Sequence, residues 1–337
     1  MSKRDIVVIG ASAGGQRALG LLVKELPKDF AGAVFIVMHV SPHYHSLLPA
    51  ILSKTASMTV RHAVDGEPVR PGRIYVAPPD HHMVLEKDRV RLTKGPKENR
   101  SRPAVDCLFR SAAYYYGPRV VGVVLTGSLD DGTAGLWSIK DRGGVTIIQD
   151  PEEAEHPSMP LNAKQNVQID YCLPIGGIVQ TLARLTAESS GAAEVHPVSD
   201  QLEVETRIGL ENNPLSGGIL KLGQPSTFTC PSCHGALVEI KNGDLVRFRC
   251  HTGHAFSLQS LLAELNENTE NALWSAARAM DEKIMLLDHL ARHARDAEQA
   301  DAVKLLTREV DEGKRQLALL RRAALSQGAV KADQLDE

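Results

Sequence analysis

The chain has 337 residues, 43% apolar and 23% charged, with only 4% aromatic and a formal net charge of -3. So few rings argue against a nucleic-acid surface built on base stacking, and the charge split, 22 Lys+Arg against 19 Asp+Glu over residues 1–190 and 16 against 22 over 191–337, names no polyanion partner. No apolar run nears the roughly 20 residues that cross a bilayer, and the segment after Met1 is too short for a signal peptide, so the reading is cytoplasmic, without membrane insertion.

In chain order, Asp5–Gly10 is a short β-branched run ending in glycine. A helical pattern follows, with Ala18, Leu19, Leu22, Val23 and Leu26 on one face, stopped by Pro27. Ala33–His39 reads as a second buried strand and His45–Ser53 as a second helix. Short strands are expected at Arg73–Ala77, Met83–Glu86 and Arg89–Thr93, then a helix over Pro103–Tyr116. Val120–Thr126 is the most apolar strand, followed by a helix over Asp130–Arg142, a strand over Val145–Gln149 and a helix over Ile175–Ala187. Strand–helix alternation with near-continuous apolar strands predicts an α/β fold, a doubly wound, mostly parallel sheet in three Rossmann-like layers over residues 1–188. Residues 189–225, rich in Ser, Gly, Asn, Pro and acids, read as a flexible linker. Residues 226–256 form a compact Cys/His segment, 257–326 carry two roughly heptad stripes of an antiparallel helical hairpin, and 327–337 read as a disordered tail.

The first strand runs into Gly10-Ala11-Ser12-Ala13-Gly14-Gly15, a Gly-x-Ser-x-Gly between strand and helix, the context of a nucleophile elbow. A phosphate-cradling loop is the competing reading, weakened by the absence of a Gly-Lys-Ser/Thr. A serine nucleophile needs a base, and His39 ends the neighbouring strand; His43 and His45 fall in the loop beyond it. The strand Val120–Thr126 leads into Gly127-Ser128-Leu129-Asp130-Asp131-Gly132, where one acid can orient the imidazole while the other caps the next helix. All three groups then fall at the carboxyl ends of strands, where open parallel sheets place their sites.

These segments, over roughly residues 4–187, resemble the CheB-type chemotaxis methylesterases, the protein-glutamate methylesterases. Ile9-Gly10-Ala11-Ser12-Ala13-Gly14-Gly15 is similar to that family's serine loop, and Met38-His39-Val40 to its histidine-bearing strand end. Tyr75–Met83, Arg102-Pro103-Ala104-Val105-Asp106 and Gln149-Asp150 with Met159-Pro160 match further motifs in order. Leu125–Gly132 resembles its Leu-Thr-Gly-Met-Gly-x-Asp-Gly, which implies a catalytic set of Ser12, His39 and Asp131, with backbone N–H groups near Ala13 and Ser128 at the oxyanion position. Ser128-Leu129 stands where the family has Met-Gly. The resemblance implies hydrolysis of glutamyl methyl esters on chemoreceptors or other helical signalling proteins, with deamidation of selected glutamines, and no cofactor for catalysis. Members usually carry an N-terminal receiver domain; here the similarity begins near residue 4, and that control is expected to be missing in cis.

Five cysteines, an odd number, argue against a disulfide framework in a reducing compartment. Cys230-Pro231-Ser232-Cys233 and Cys250-His251-Thr252-Gly253-His254 flank a hairpin signalled by Asn242-Gly243, as in a zinc ribbon. Cys230, Cys233, Cys250 and His254 are the candidate ligands of a structural Zn2+, with His251 or His234 as rivals for the fourth place. Lys241, Arg247 and Arg249 are too few for a nucleic-acid stripe. A random-coil linker of about 35 residues spans roughly 30–35 Å, which would leave the metal unfixed relative to Ser12. His289 and His293 read as part of a solvated helix face, and the helical tail as a surface for self-association. The alternative to an esterase is a catalytically weak signalling adaptor working through the ribbon and helices.

Overall fold

The computed structural model describes residues 2–190, 196–211 and 218–326. They fall into two compact units divided between Leu261 and Leu262.

In chain order the first unit contains β1 (Ser2–Lys3), β2 (Ile6–Ala11), α1 (Gly15–Glu25), β3 (Ala33–Met38), α2 (Leu48–Ser53), β4 (Thr59–His62), β5 (Arg73–Val76), β6 (His82–Glu86), β7 (Arg89–Thr93), α3 (Val105–Tyr116), β8 (Val120–Val124), α4 (Thr133–Asp141), β9 (Val145–Gln149), α5 (Ser158–Asn166), β10 (Tyr171–Leu173), α6 (Ile175–Ala187), β11 (Ser189–Ser190) and α7 (Asp200–Glu211). Four more strands follow: β12 (Gln224–Thr229), β13 (Ala236–Asn242), β14 (Leu245–Cys250) and β15 (Ala255–Ser257). Seven strands form one sheet in the order β10-β9-β8-β2-β3-β5-β4, with every pairing parallel. The chain leaves the central strand β2 toward β3 on one side and later places β8 on the other, so the sheet reverses its order there, the point at which such folds open a crevice.

Alternation along β2 splits the core into two layers. Val7, Ile9 and Ala11 pack with Leu19, Leu22 and Val23 of α1 and Leu182 of α6. Ile6 and Val8 face the other way, toward Leu108 and Phe109 of α3 and Leu136 of α4. Burying both faces is what makes the strands continuously apolar. Gly10 interrupts that run for a steric reason: a Cβ there would lie 2.3 Å from Val105 Cγ1, so only glycine lets the start of α3 press against β2.

The expectation of a flexible linker over 189–225 is corrected. Residues 191–195 and 212–217 lie outside the described residues, but between them α7 is a helix docked on the sheet domain. Its Leu202 enters the core beside α3, and the Gly209 carbonyl accepts from Thr93 Oγ1 at 2.8 Å. Its Glu205 is buried against three arginines. Arg247 Nη1 and Nη2 grip the carboxylate at 2.8 Å each, Arg249 Nη2 reaches it at 3.2 Å, and Arg110 Nε stands 4.0 Å away. Arg110 and Arg249 also pair with buried Glu98. Burial would raise both glutamates, but the arginines win: Glu98 is drawn down to about 2, and Glu205 well below the ordinary range. Arg247 and Arg249 therefore point into the protein rather than toward a polyanion.

The ribbon is an antiparallel four-stranded sheet, β12-β13-β14-β15, starting two residues before the expected boundary. Leu237, Phe248, Phe256 and Leu261 give it a small core. It is not free of the sheet domain: the Asn99 N–H donates to the Ala255 carbonyl at 2.8 Å, and Glu98 bridges to Ala255 in parallel register. The expectation that chain flexibility leaves the ribbon unplaced is overturned by these bonds.

The helices α8 (Leu258–Asp296) and α9 (Ala300–Ser326) follow. Within the second unit they run antiparallel, as Ile284 faces Gly313 and Asp281 pairs with Arg321 at 2.6 Å. Ala277, Ile284, Val310 and Leu317 form their core. The tail 327–337 lies outside the described residues.

Candidate active site

Three loops at carboxyl ends of adjacent strands bring Ser12, His39 and Asp131 into line. Ser12 follows β2 and sits in the turn before α1; its N–H donates to the Thr126 carbonyl at 3.0 Å, which ties it to the loop after β8. His39 follows β3, and its N–H donates to the Ala11 carbonyl at 3.1 Å. The imidazole then lies between its two partners, Nδ1 3.1 Å from Ser12 Oγ and Nε2 2.7 Å from Asp131 Oδ2. With the proton on Nε2 directed at the carboxylate, Nδ1 is left as the acceptor for the serine hydroxyl. The ring nitrogens thus trade places relative to the serine-protease template, while the roles are the same.

Asp131 rather than Asp130 faces the histidine. Its carboxylate accepts four donors: His39 Nε2, the Val105 N–H at 2.7 Å, Asn99 Nδ2 at 2.9 Å and the Asp106 N–H at 3.2 Å. Two of these are amides of the first turn of α3, which have no partner within the helix and lie at its positive end. Burial alone would raise the Asp131 pKa, but the bond from His39, with those from Asn99 and Val105, holds it below the usual carboxylate value. Asp106 caps the next helix instead, taking the Gly132 and Gly135 N–H groups at 3.1 and 2.6 Å. Burial, then the nearby Asp131, pushes Asp106 up to about 6. Asp130 is turned away and accepts from Ser257 Oγ at 2.6 Å; burial raises it to about 7.

Ala13 and Ser128 lie in the two loops that meet at Ser12. The approach is close: a Cβ on Gly127 would fall 2.8 Å from Ser12 Cβ and 2.1 Å from Met159 Sδ. Thr126 Oγ1 donates to the Ala13 carbonyl at 3.0 Å, clasping the serine loop from the same side. His43 and His45 are exposed in the loop beyond His39.

These features match known proteins. The family profile of CheB methylesterase matches residues 7–182. The chain belongs to that family. Over 182 residues it is 36% identical to a Leptospira interrogans protein assigned provisionally as a protein-glutamate methylesterase/protein-glutamine glutaminase, covering 54% of this chain and 94% of that one. It is 38% identical over 184 residues to the protein-glutamate methylesterase/protein-glutamine glutaminase of Thermotoga maritima, covering 53% of this chain and 54% of that protein. The crystal structure of the Thermotoga maritima CheB methylesterase catalytic domain superposes with a TM-score of 0.52 at 38% identity, covering 55% of this chain and 100% of that domain. The matches stop near α6, so helix α7, the ribbon and the hairpin stand outside them.

The Cys/His segment gathers a second constellation. The ligand atoms of Cys230, Cys233, Cys250 and His254 all lie within 4.8 Å of one another. Cys233 Sγ is 3.6 Å from Cys250 Sγ, and His254 Nδ1 is 3.7 and 3.6 Å from the sulfurs of Cys230 and Cys250. A tetrahedron with Zn–S near 2.3 Å has edges of about 3.8 Å, so donor types and spacing fit a closed zinc site. His251 and His234 are exposed and outside the group.

Sequence reasoning missed Asn99, Ser257 and the α3 amides. Arg102–Asp106 carried a family signal, but Asn99 lies in Lys97-Glu98-Asn99-Arg100, which reads as an ordinary polar turn.

Proposed function

We propose that this chain hydrolyses glutamyl methyl esters, and deamidates glutamines, on a methylated chemoreceptor or another helical signalling protein. The observation that carries the reading is the unbroken hydrogen-bonded line Ser12–His39–Asp131 at the reversal point of the sheet. Ser12 Oγ attacks the ester carbonyl while His39 Nδ1 takes its proton. The charged imidazolium is held by Asp131, and the tetrahedral oxyanion is met by backbone N–H groups at Ala13 and Ser128. Collapse expels methanol, which takes the proton back from Nδ1. Water then repeats the sequence on the acyl-serine and releases glutamate; with a glutamine substrate the departing group is ammonia. No step calls for a cofactor.

Cys230, Cys233, Cys250 and His254 hold a structural Zn2+ in this reading. Four protein ligands leave no coordination position for water, so the metal supplies rigidity, not Lewis acidity. Among the described residues no helix is long and apolar enough to cross a membrane, and we place the chain in the cytoplasm, where its substrate's signalling helices are. Trp274, Met285, Leu286 and Leu290 are exposed on α8, which supports self-association through the hairpin.

Methanol release from methylated receptor membranes by the full chain tests the assignment. Wild type should release it, and Ser12→Ala should fall by about 10^4-fold or more with an unchanged circular dichroism spectrum. Equal release by Ser12→Ala would end the proposal.

A further inference from the structure

The acid that orients the histidine is itself held from outside the sheet. Asn99 lies in the loop between β7 and α3, buried, with its backbone in the left-handed region (φ 46), followed by Arg100 at φ 69. Its side chain is saturated. Nδ2 donates to Asp131 Oδ1 and to Asp106 Oδ2, both at 2.9 Å. Oδ1 accepts from the Ser257 N–H at 3.0 Å and from Ser260 Oγ at 3.1 Å. These partners fix the amide's orientation, because the reverse would set an oxygen between two carboxylates and an NH2 against an N–H.

The two serines belong to the ribbon and the helix it launches. Ser257 ends β15, three residues beyond His254, and Ser260 is in the first turn of α8. Ser257 Oγ also donates to Asp130, next to Asp131. On the other side, Glu98 precedes Asn99 and pairs at 2.8 Å with Arg249, which precedes Cys250. The loop that holds Asp131 is thus gripped at successive residues by chain directly attached to Cys250 and His254.

Building on the reading of Ser12, His39 and Asp131 as the catalytic set, we propose that Asn99 is a positioning residue for Asp131, clamped by Ser257 and Ser260, so that the state of the Cys–His knot sets the turnover of the esterase. The Asn99 amide is the donor that Asp131 and Asp106 share. Without it the two buried carboxylates face each other, and Asp131 either turns from His39 or takes up a proton; both weaken its hold on the imidazolium. Asn99 is buried behind Asp131, away from Ser12, so the loss falls on kcat and leaves KM alone.

The test uses the full chain and p-nitrophenyl acetate, a small ester that needs no receptor surface. Asn99→Ala should lower kcat about 10–100-fold with KM changed less than about twofold, and Asn99→Asp, which adds a third carboxylate, should lower it further. The low-field His39 Nε2–H proton resonance should move or vanish in both. Ser257→Ala with Ser260→Ala reads the same link from the ribbon side and should cost about 3–10-fold; it also serves if Asn99→Ala does not fold. Stripping zinc from wild type with a chelator should lower kcat in step with metal content, and restoring zinc should recover it. In Asn99→Ala, chelation should add less than about a twofold further loss, because the link is already cut. Undiminished kcat in folded Asn99→Ala, or in zinc-free wild type, or losses that simply multiply, would overturn the coupling while Ser12→Ala remains dead. Activity surviving in Ser12→Ala would bring down the triad reading itself, and the coupling with it.

Discussion

The seven-stranded sheet and the segment from α7 to β15 share one compact unit, yet they are assembled by opposite means. The sheet domain is held by apolar layers on both faces of its strands, from Val7 and Ile9 on one side to Phe109 and Leu136 on the other. The later segment docks largely through buried charge and amide contacts: Glu98 and Glu205 against Arg110, Arg247 and Arg249, and Asn99 against Ser257 and Ser260. Apolar periodicity is spread over many positions and survives any one substitution. A buried ion cluster concentrates docking in a few groups, each costly to orphan.

On the sheet side the largest expected loss is in activity. Asp131→Asn keeps the shape but cannot hold the imidazole in the tautomer that leaves Nδ1 free, and ester hydrolysis should fall by about 10^4-fold. Circular dichroism should be unchanged, while the urea midpoint should fall, because an NH2 replaces an oxygen that accepts two of the four donors. Asp130→Asn should keep most of the activity, since Asp130 faces Ser257 and not His39. The reverse pattern in methanol release would reassign the acid.

On the docking side the expected loss is in stability. Glu205→Ala leaves Arg247 and Arg249 buried without their shared carboxylate and should cost about 3–5 kcal/mol in urea unfolding. A loss below about 1 kcal/mol would show that the cluster is not what fixes α7 and the ribbon. The sign with pH is set by the same groups. Glu98 and Glu205 have folded pKa values below their unfolded ones, so their contribution is present above about pH 4.5 and is lost as pH falls toward about 2. Acid should therefore release the ribbon while the apolar layers of the sheet persist, seen as loss of hydrogen-exchange protection in β12–β15 before β2 and β8.

The same contrast explains what the sequence shows and what it hides. Ser12 and His39 are visible because glycine punctuation and β-branched runs mark where strands end, and strand ends of a parallel sheet converge. The ribbon is visible because cysteine and histidine recur at the spacing of metal ligands around Asn242-Gly243. Helix α7 is not: Gln201, Glu203, Glu205 and Arg207 look like a solvated stretch, and nothing local says that Glu205 alone will meet three arginines up to 95 residues away from it in sequence. Asn99 is hidden for the same reason, since its partners lie at positions 106, 131, 257 and 260. The choice between Asp130 and Asp131 needed a family pattern, because adjacent acids in a loop have no periodicity to separate them.

A further effect, one of pH dependence, is expected where the two regions meet. Asp130, in the β8–α4 loop, is buried against the end of β15, with Ser257 Oγ as its donor and Asp106 and Asp131 as neighbouring acids. Its folded pKa, about 7, stands above its unfolded value of 3.8. A raised folded value means that the protein binds this proton more tightly than the unfolded chain does. The stabilisation is then complete below about pH 4 and is lost as pH rises through about 7. Asn at this position keeps the carbonyl oxygen that accepts from Ser257 and never ionises. Asp130→Asn should therefore nearly match wild type in unfolding free energy near pH 4 and exceed it by up to about 4 kcal/mol at pH 8. If wild type and variant instead run parallel from pH 4 to 8, Asp130 is ionised throughout, and the junction tolerates a second buried carboxylate charge beside Asp131.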